Sequence, residues 1–504
     1  MLKRILHTIY SVLSSRRFFL VIIGLFIVEA AWFALTAQYP MAFDENYHFG
    51  IIQIYSHQWL PFITKVPPGS GIYGNLTRYD SYMYHYLMSF PYRFITLFIH
   101  SEIVQIIILR FINIGLFVGG LFLFRKLLRR VHISEGISNL SFLMFILVPI
   151  VPFLAATINY DNLTFLMVPV LAGLALTCAQ ALRDKKRSIP PVSFILLLAV
   201  GGLSSLIKYA FLPVFLAVIL YLLVLYIRTP GKKELWKAFG RAFLKIRRPL
   251  QIILIIFALI SAGLFIERYG VNLVKYHSIE PDCSRLQSLN SCLEYGPYAR
   301  NYNHKQLVAS GNAIIDPPII FFIPVWIGGM MYRLFFAINY DYSNYSPLPL
   351  PLIISSLIGA FGIVLSIIYR RFILRIDRHI LLLLAIIFVY TLSLFYDNFI
   401  DYLQYKTPLA VNGRYLVLVL PLIFPIIAIS FKQFFQKVFK SRAGTALIIL
   451  AVASFVLMLD GGGALTQIDR ANAYWYIDNP PVVQANLAVK KALYPVILGS
   501  GVNW

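Results

Sequence analysis

The sequence predicts an all-α polytopic membrane protein, and three observations support this: the composition, the spacing of the apolar runs and the placement of the charges. Of the 504 residues, 59% are hydrophobic and 13% are charged, and the mean hydropathy is +0.75. Soluble domains are about one quarter charged and about half apolar. The composition therefore excludes a disordered chain, a small disulfide-stabilised domain and an ordinary soluble enzyme.

Apolar runs long enough to cross a bilayer recur along most of the chain. A spanning helix needs about 20 apolar residues. We expect about eleven such helices, near residues 18–37, 104–124, 139–156, 163–182, 191–207, 210–227, 250–266, 350–369, 379–396, 414–431 and 443–459. The chain then starts inside and ends outside. The first run also has features of a secretory signal, but because many spans follow it, we expect a retained helix.

The formal net charge of +23 would by itself suggest a protein that binds polyanions. Six basic clusters between the apolar runs, however, hold 28 of the 44 basic residues, and only four of the 21 acidic residues lie in or beside them. These clusters lie at residues 3–17, 125–130, 183–187, 228–248, 370–378 and 432–442. This asymmetry is typical of cytoplasmic loops. It argues for the plasma membrane and against nucleic acid as a partner.

Two further apolar stretches, residues 83–99 and 319–338, are rich in Tyr, Pro, Gly and Arg. If either crossed the membrane, a later Arg-rich cluster would face outside, so we expect both to be juxtamembrane helices in the outer interface. Residues 1–459 are then one transmembrane domain with two long external loops, 38–103 and 267–349. Residues 460–504 form a short external tail.

Cysteine usage agrees with this sidedness. Cys178 lies inside an apolar run, while Cys283 and Cys292 lie nine positions apart in the longest external loop. We predict a disulfide between these two, because an oxidising outer compartment permits one. Two free thiols remain the alternative, since two cysteines give no spacing signature.

The first external loop begins with two adjacent carboxylates, Asp44 and Glu45. His48 is spaced i,i+4 from Asp44, which puts both side chains on one helix face. The alternative is that Asp44 only caps this helix, where acids are favoured. The next external turn carries Asp161.

Two charged residues lie inside the apolar runs, Glu29 in the first helix and Arg110 in the second. They are either functional or an ion pair that links the two helices.

The order of these acidic motifs resembles the GT-C membrane glycosyltransferases, a class that includes protein O-mannosyltransferases and lipid A aminoarabinose transferases. In that class an acidic pair directly after the first helix supplies the catalytic carboxylate, and Asp44-Glu45 stands at this position. Asp161 stands where the class often has a second acidic residue. The resemblance implies a GT-C-like bundle with external juxtamembrane helices.

Two later segments add to the resemblance. Residues 78–87 look like the juxtamembrane segment after the acidic loop, although the Pro-Pro often found there is missing. The sequence Asn412-Gly413-Arg414-Tyr415 is similar to a motif in a group of bacterial membrane proteins of poorly defined function.

The implied chemistry is transfer of a sugar from a polyprenyl-phosphate donor to a glycan, lipid or protein acceptor at the outer face, with inversion. Asp44 and Glu45 are the expected catalytic residues, with Asp44 as the base. The expected substrate- and phosphate-binding residues are His48, Asp161, Lys208, Arg414, Arg333 and Arg78. The expected partners are the sugar donor, the acceptor and membrane lipids. No cofactor is expected to be required.

Three alternatives stay open at this point. A divalent metal ion is one, because Asp44, Glu45, His48 and Asp161 carry suitable ligand atoms. A transporter or flippase of lipid-linked glycans is the second, although no internal repeat is evident. The third is a relative of the transferases that binds polyprenyl lipids without catalysis.

Overall fold

The structure is a computed structural model, and it describes residues 2–41, 43–183, 189–335, 349–440, 442–460 and 479–497. Within these ranges the chain forms helices joined by turns and contains no β-sheet, which confirms the all-α prediction. Most of the external tail and part of the basic cluster at 183–187 lie outside the described residues.

The helices of the first half follow the predicted order. They are α1 (Leu2–Leu13), α2 (Arg16–Thr36), α3 (Glu45–Ser56), α4 (Met83–Thr96), α5 (Glu102–Arg130), α6 (Glu135–Ile146), α7 (Ile150–Ala156), α8 (Tyr160–Arg183), α9 (Pro191–Ile207), α10 (Leu212–Arg228) and α11 (Lys232–Leu244).

The second half begins with a long helix and continues through a region of short ones. Its helices are α12 (Arg248–Phe265), α13 (Val271–Tyr276), α14 (Leu289–Leu293), α15 (Gly296–Ala309), α16 (Phe322–Phe335), α17 (Pro349–Ile368), α18 (Arg370–Ile376), α19 (Ile380–Tyr405), α20 (Leu420–Val438), α21 (Ala443–Asp460) and α22 (Pro480–Ile497). A π-helical turn, Ile266–Gly270, joins α12 to α13.

Six of the described helices are long and apolar enough to cross a membrane, and there are eight candidate spans if two bent helix pairs are counted. The bent pairs are α6 with α7, at 74°, and the end of α17 with α18, at 70°. Helix α9, helix α16 with the turn before it, and part of α21 are apolar but shorter. The chain is therefore a multi-pass helical membrane protein, while the count of about eleven spans stays a prediction.

Helix α5 packs closely against α8 and α2. The rings of Phe117 and Phe165 stack with centroids 4.0 Å apart, and the nearly parallel ring of Phe145 lies 5.6 Å from Phe165 and 6.0 Å from Phe117. A Cβ on Gly120 would lie 2.5 Å from the Phe165 ring, so only glycine permits this approach. At the start of α8, Asn162 Nδ2 donates to Asn113 Oδ1 of α5 at 3.1 Å, so the turn before α8 lies beside α5.

Helices α3 and α4 pack on each other beside the bundle. Their shared core contains Phe49, Ile52, Tyr55, Met88 and Tyr92, all buried. Helix α4 has 14 residues, which corresponds to about 21 Å at 1.5 Å per residue, less than the roughly 30 Å of a hydrocarbon core. Its length is compatible with the predicted juxtamembrane position.

Candidate active site

The loop between α2 and α3, which the sequence predicts to be external, turns sharply before α3. Phe43 and Asp44 both adopt the left-handed backbone conformation, with φ angles of 69° and 64°. This region costs residues other than glycine of order 1–3 kcal/mol, and such residues cluster at functional sites. Asp44 occupies the N-cap position of α3, yet its side chain caps no described N–H group, and 58% of that side chain is exposed. The Asp44 side chain therefore does not act as a helix cap in this structure.

Neighbouring Glu45 points into the protein interior. Its fully buried carboxylate accepts hydrogen bonds from Arg110 of α5, from Nε at 2.8 Å and Nη2 at 2.7 Å. Arg110 Nη1 also donates to the carbonyl oxygens of Ala34 and Ala37 at the end of α2. The backbone N–H of Met41 donates to Glu45 as well, at 2.7 Å. The ion pair thus fastens the end of α2, the acidic loop and α5 to one another.

The suggested pair between Glu29 and Arg110 is wrong. Arg110 binds Glu45, whereas Oε1 of Glu29 is buried without a hydrogen-bond partner among the described residues. The physical reason is that the loop after α2 folds back and inserts Glu45 against α5, where it also satisfies backbone N–H groups. The sequence alone contains no signal for this reversal.

The turn before α8 is hydrogen-bonded to the acidic loop. Asn159 Nδ2 donates to the carbonyl oxygen of Phe43 at 2.9 Å, and Asn159 Oδ1 accepts from the backbone N–H of Asp161 at 2.8 Å. The backbone N–H of Ile158 donates to Glu45 at 3.3 Å. These bonds bring the two acidic motifs of the sequence, residues 44–45 and Asp161, into one region.

Lys208, at the end of α9, is 2% exposed and completes this region with a buried positive charge. Its Nζ donates to Asp161 Oδ1 at 2.5 Å. The same Nζ lies 4.5 Å from the centre of the Tyr160 ring and 4.8 Å from that of Tyr415. An ion pair and two aromatic faces stabilise a desolvated ammonium group. Asp161 Oδ2 is buried and has no partner among the described residues.

Arg414 supplies the second cation. Its backbone N–H donates to Asn412 Oδ1 at 3.0 Å, and its Nη2 donates to Asp44 Oδ2 at 3.2 Å. The guanidinium carbon lies 5.0 Å from the centre of the Phe43 ring and 5.2 Å from that of Tyr415. Its Nε is buried without an acceptor in the described part of the chain. Arg414 thus retains an unused donor beside Asp44.

His48 lies one helical turn beyond Asp44 and is buried. Its Nδ1 is 2.8 Å from Nε2 of His85 on α4. Burial, followed by the charges of His85, Arg414 and Lys208, lowers the pKa of His48 well below its ordinary value. Burial also lowers the pKa of His85 to about 3. Both imidazoles are therefore neutral at pH 7, and one donates a hydrogen bond to the other.

Four tyrosines form what we name the tyrosine wall: Tyr47, Tyr73, Tyr79 and Tyr295. The ring centre of Tyr47 lies 5.9 Å from that of Tyr73, 6.4 Å from that of Tyr79 and 5.5 Å from that of Tyr295. Burial, and after it the negative charge of Asp44, raises the pKa of the Tyr295 phenol. Tyr295 is therefore close enough to Asp44 for the two side chains to interact electrostatically.

The sulfur atoms of Cys283 and Cys292, the two cysteines predicted to form a disulfide, are bonded at 2.11 Å, with the Cα atoms 5.8 Å apart. The backbone N–H of Tyr295 donates to the carbonyl oxygen of Cys292 at 3.1 Å. The disulfide-closed loop is thereby connected directly to the tyrosine wall.

The two remaining candidate cations lie in other contacts. Arg78 forms an ion pair with Glu267 at 2.6 Å and donates to Asn272 Oδ1 at 2.7 Å, which ties the first external loop to the turn after α12. Arg333 Nη1 donates to the carbonyl oxygen of Val411 at 2.6 Å. Arg333 therefore supports the loop that precedes Arg414. The structure brings Asp44, Asp161, Lys208 and Arg414 together, but not Arg78.

The donor set offered for a metal ion is largely engaged within the protein. Glu45 binds Arg110, Asp161 binds Lys208, and His48 binds His85. Within the described ranges no group of three or more His, Cys, Asp and Glu side chains is arranged to hold a metal ion. These residues, as placed, do not fit a metal centre.

Three site residues were not predicted from the sequence. Arg110 is a charge in an apolar run, but the sequence suggests Glu29 and not Glu45 as its partner. His85 lies in the segment 78–87 that the resemblance singled out, and its spacing from His48 gives no signal. Tyr295 follows the second bonded cysteine, and only the folded loop places it beside Asp44.

No protein-family model and no curated protein sequence matches the chain. Among solved structures, the chain is similar to the archaeal oligosaccharyltransferase AglB from Archaeoglobus fulgidus in complex with an inhibitory peptide and a dolichol-phosphate, with a TM-score of 0.43 and 13% identity. It is also similar to an A. fulgidus oligosaccharyltransferase tethered with an acceptor peptide, with a TM-score of 0.42 and 13% identity. Each comparison covers 94% of this chain and 59% of the other. Similarity at this level assigns no function.

The buried ion pair generates the first prediction. Glu45→Gln leaves the Arg110 guanidinium buried without a counter-charge, and removing one partner of such a pair typically costs about 3–5 kcal/mol. We expect a clear fall in the thermal unfolding midpoint of the detergent-solubilised protein. Glu102→Gln, which alters an exposed carboxylate at the start of α5, is the matched control. Equal midpoints for the two variants would contradict the structural role of the pair.

Proposed function

We propose that the protein is an inverting membrane glycosyltransferase of the GT-C class, which transfers a sugar from a polyprenyl-phosphate donor to an acceptor hydroxyl. One observation supports this most strongly. An exposed carboxylate, Asp44, lies 3.2 Å from the buried Arg414 and in the same region as the buried Lys208. A base beside two cations is the combination that such a transfer requires.

The donor phosphate is proposed to bind beside Tyr415, because the cationic groups of Lys208 and Arg414 both lie about 5 Å from this ring. The unused Nε of Arg414 supports this assignment, since a buried donor without an acceptor costs about 1–3 kcal/mol. A phosphate oxygen would satisfy it. Lys208 already has Asp161 as its counter-ion, so Arg414 carries most of the proposed contact.

The proposed reaction is a single displacement. The Asp44 carboxylate takes the proton of the acceptor hydroxyl while the acceptor oxygen attacks the anomeric carbon. The bond between that carbon and the phosphate oxygen breaks, and its electron pair stays on the phosphate. Arg414 and Lys208 stabilise the added negative charge, so the phosphate leaves without being protonated. The products are the glycosylated acceptor and polyprenyl phosphate.

Glu45, Asp161 and His48 are assigned supporting roles. Glu45 holds the acidic loop through Arg110, and Asp161 fixes the position of Lys208. The neutral His48–His85 pair adds no positive charge that would compete for the Asp44 carboxylate. The tyrosine wall offers flat aromatic faces to the sugar or the acceptor. These contacts do not distinguish between a glycan, a lipid and a protein as the acceptor.

The outer face of the plasma membrane is the proposed side of the reaction. The support is the distribution of basic residues, 28 of 44 in the proposed inner clusters. A cysteine introduced in the loop at residues 370–378 should resist membrane-impermeant reagents in intact cells. Labelling of that cysteine from outside would contradict the proposed side.

We predict that Asp44→Asn lowers turnover by about 10²–10⁴-fold, the range typical of general-base assistance. Donor affinity should change little, because Arg414 and Lys208 remain. The measurement is release of polyprenyl phosphate by purified protein, with donor affinity determined in parallel. Asp316→Asn, an exposed carboxyl of the long external loop, is the control. Wild-type turnover in Asp44→Asn would show that Asp44 is not the base.

Arg414→Gln should weaken binding of polyprenyl phosphate. Hydrogen bonds to charged groups contribute about 1.5–3 kcal/mol, which corresponds to a Kd raised roughly tenfold to a hundredfold. Titration of the detergent-solubilised protein with a short polyprenyl phosphate measures this. Arg300→Gln, an exposed guanidinium of α15, serves as the control. An unchanged Kd in Arg414→Gln would remove Arg414 from the phosphate site.

The proposed reaction uses Arg414 and Lys208 in place of a divalent metal ion. Three of the candidate metal ligands, Glu45, Asp161 and His48, already bind other side chains of the protein. We therefore expect full turnover after dialysis against excess chelator. Loss of turnover that is restored by a divalent cation would contradict this part of the mechanism.

A further inference from the structure

A second feature of the molecule lies at the opposite end of the helix bundle. A cavity of about 220 Å³, which we name the far-end cavity, lies between the start of α6, helix α18 and the last turns of α20. Helix α20 begins just after Arg414, and the α6–α7 pair ends just before Asn159. The far-end cavity is therefore separated from the candidate active site by the length of these helices.

The cavity is amphipathic. Its floor is apolar and includes Ile133, Ile137 and Ile429, while its rim carries His132, Lys432 and Gln436. Its volume is far above the roughly 10–15 Å³ that one water molecule needs. An apolar floor below a cationic rim suits a molecule that has both a hydrocarbon part and an anionic head.

The charges around the rim favour an anion. Lys432 makes no ion pair or hydrogen bond within the described ranges of the chain. Asp377, the acid that contacts His132 of the rim, is already engaged: Oδ2 is 2.6 Å from His132 Nδ1, and Oδ1 accepts from the backbone N–H of His379 at 2.7 Å. Glu135 beside the cavity is likewise paired with two arginines of α5. Among the described residues of this rim, the Lys432 ammonium therefore carries a charge that no acid compensates.

We propose that the far-end cavity binds the headgroup phosphate of an anionic glycerophospholipid from the leaflet opposite the candidate active site, with Lys432 as the cation. Basic pockets between membrane helices on the cytoplasmic side are suited to such headgroups. The apolar floor favours a lipid over free phosphate, because glycerol and the first acyl carbons can cover it. The ring of Phe372, which lines the cavity and is 38% exposed, extends the apolar surface towards the bilayer. This site is independent of the proposed catalytic function.

Native mass spectrometry of the full-length protein in detergent tests the proposal. Phosphatidylglycerol and phosphatidylcholine with identical acyl chains are titrated against wild type, Lys432→Gln and Lys437→Gln. Lys437 is the matched control, because it lies on the same helix but contacts the Tyr369 ring, at 5.2 Å, and does not line the cavity. We expect Lys432→Gln to weaken phosphatidylglycerol binding about tenfold, the effect of losing one charged hydrogen bond. Lys437→Gln should bind as wild type does.

Gln436→Glu provides an independent variant, because it places a carboxylate on the rim without removing the lysine. It should also weaken phosphatidylglycerol binding, and the thermal unfolding midpoints identify any variant that has lost its fold. Three results would overturn the proposal: equal weakening in Lys432→Gln and Lys437→Gln, equal binding of phosphatidylcholine, or displacement of the lipid by inorganic phosphate. The first would indicate diffuse attraction to a basic surface, and the last a site for free phosphate.

Discussion

The buried pair of Arg110 and Glu45 is the interaction on which the candidate site depends. Arg110 lies in α5 and reaches the end of α2 and the acidic loop at once, so a single guanidinium fixes where that loop emerges from the membrane domain. Two charges taken out of water are costly unless all their hydrogen bonds are satisfied. Here the Glu45 carboxylate accepts hydrogen bonds from Arg110 and from two backbone N–H groups. These bonds offset the cost of burying the two charges and fix the position of the loop. Asp44 is held at the surface as a consequence.

The negative and positive side chains of the site differ in their exposure to solvent. The carboxylate of Asp44 is 58% exposed, whereas the Lys208 side chain is 2% exposed and that of Arg414 10%. An acceptor from the aqueous side can therefore reach Asp44, while an anion near Tyr415 would meet cations in a region of low dielectric, where electrostatic interactions are stronger than in water. The chemistry proposed for the site follows from this division between an exposed base and buried cations.

The sequence predicts the helices better than the contacts between them. Apolar runs identified the long helices because burial in lipid imposes length and composition, and the acidic motifs were identified by their position after apolar runs. The 74° bend between α6 and α7 was not predicted, since Pro149 and Pro152 fix no particular angle. Glu45 was expected to act beside Asp44, but adjacent residues at a helix start point in different directions, and Arg110 lies 65 positions away. Pairings such as His48 with His85 depend on the packing of α3 against α4, and a local sequence pattern does not predict this packing.

Release of polyprenyl phosphate tests the central claim most directly. Purified protein would be incubated with a panel of polyprenyl-phosphate sugars and a mixture of glycan, lipid and peptide acceptors, and the lipid products would be separated and quantified. We predict that at least one donor of the panel is converted to polyprenyl phosphate and that the sugar is found on an acceptor with inverted anomeric configuration. Binding of the donors without release of polyprenyl phosphate from any of them would contradict a transferase and indicate a lipid-binding protein.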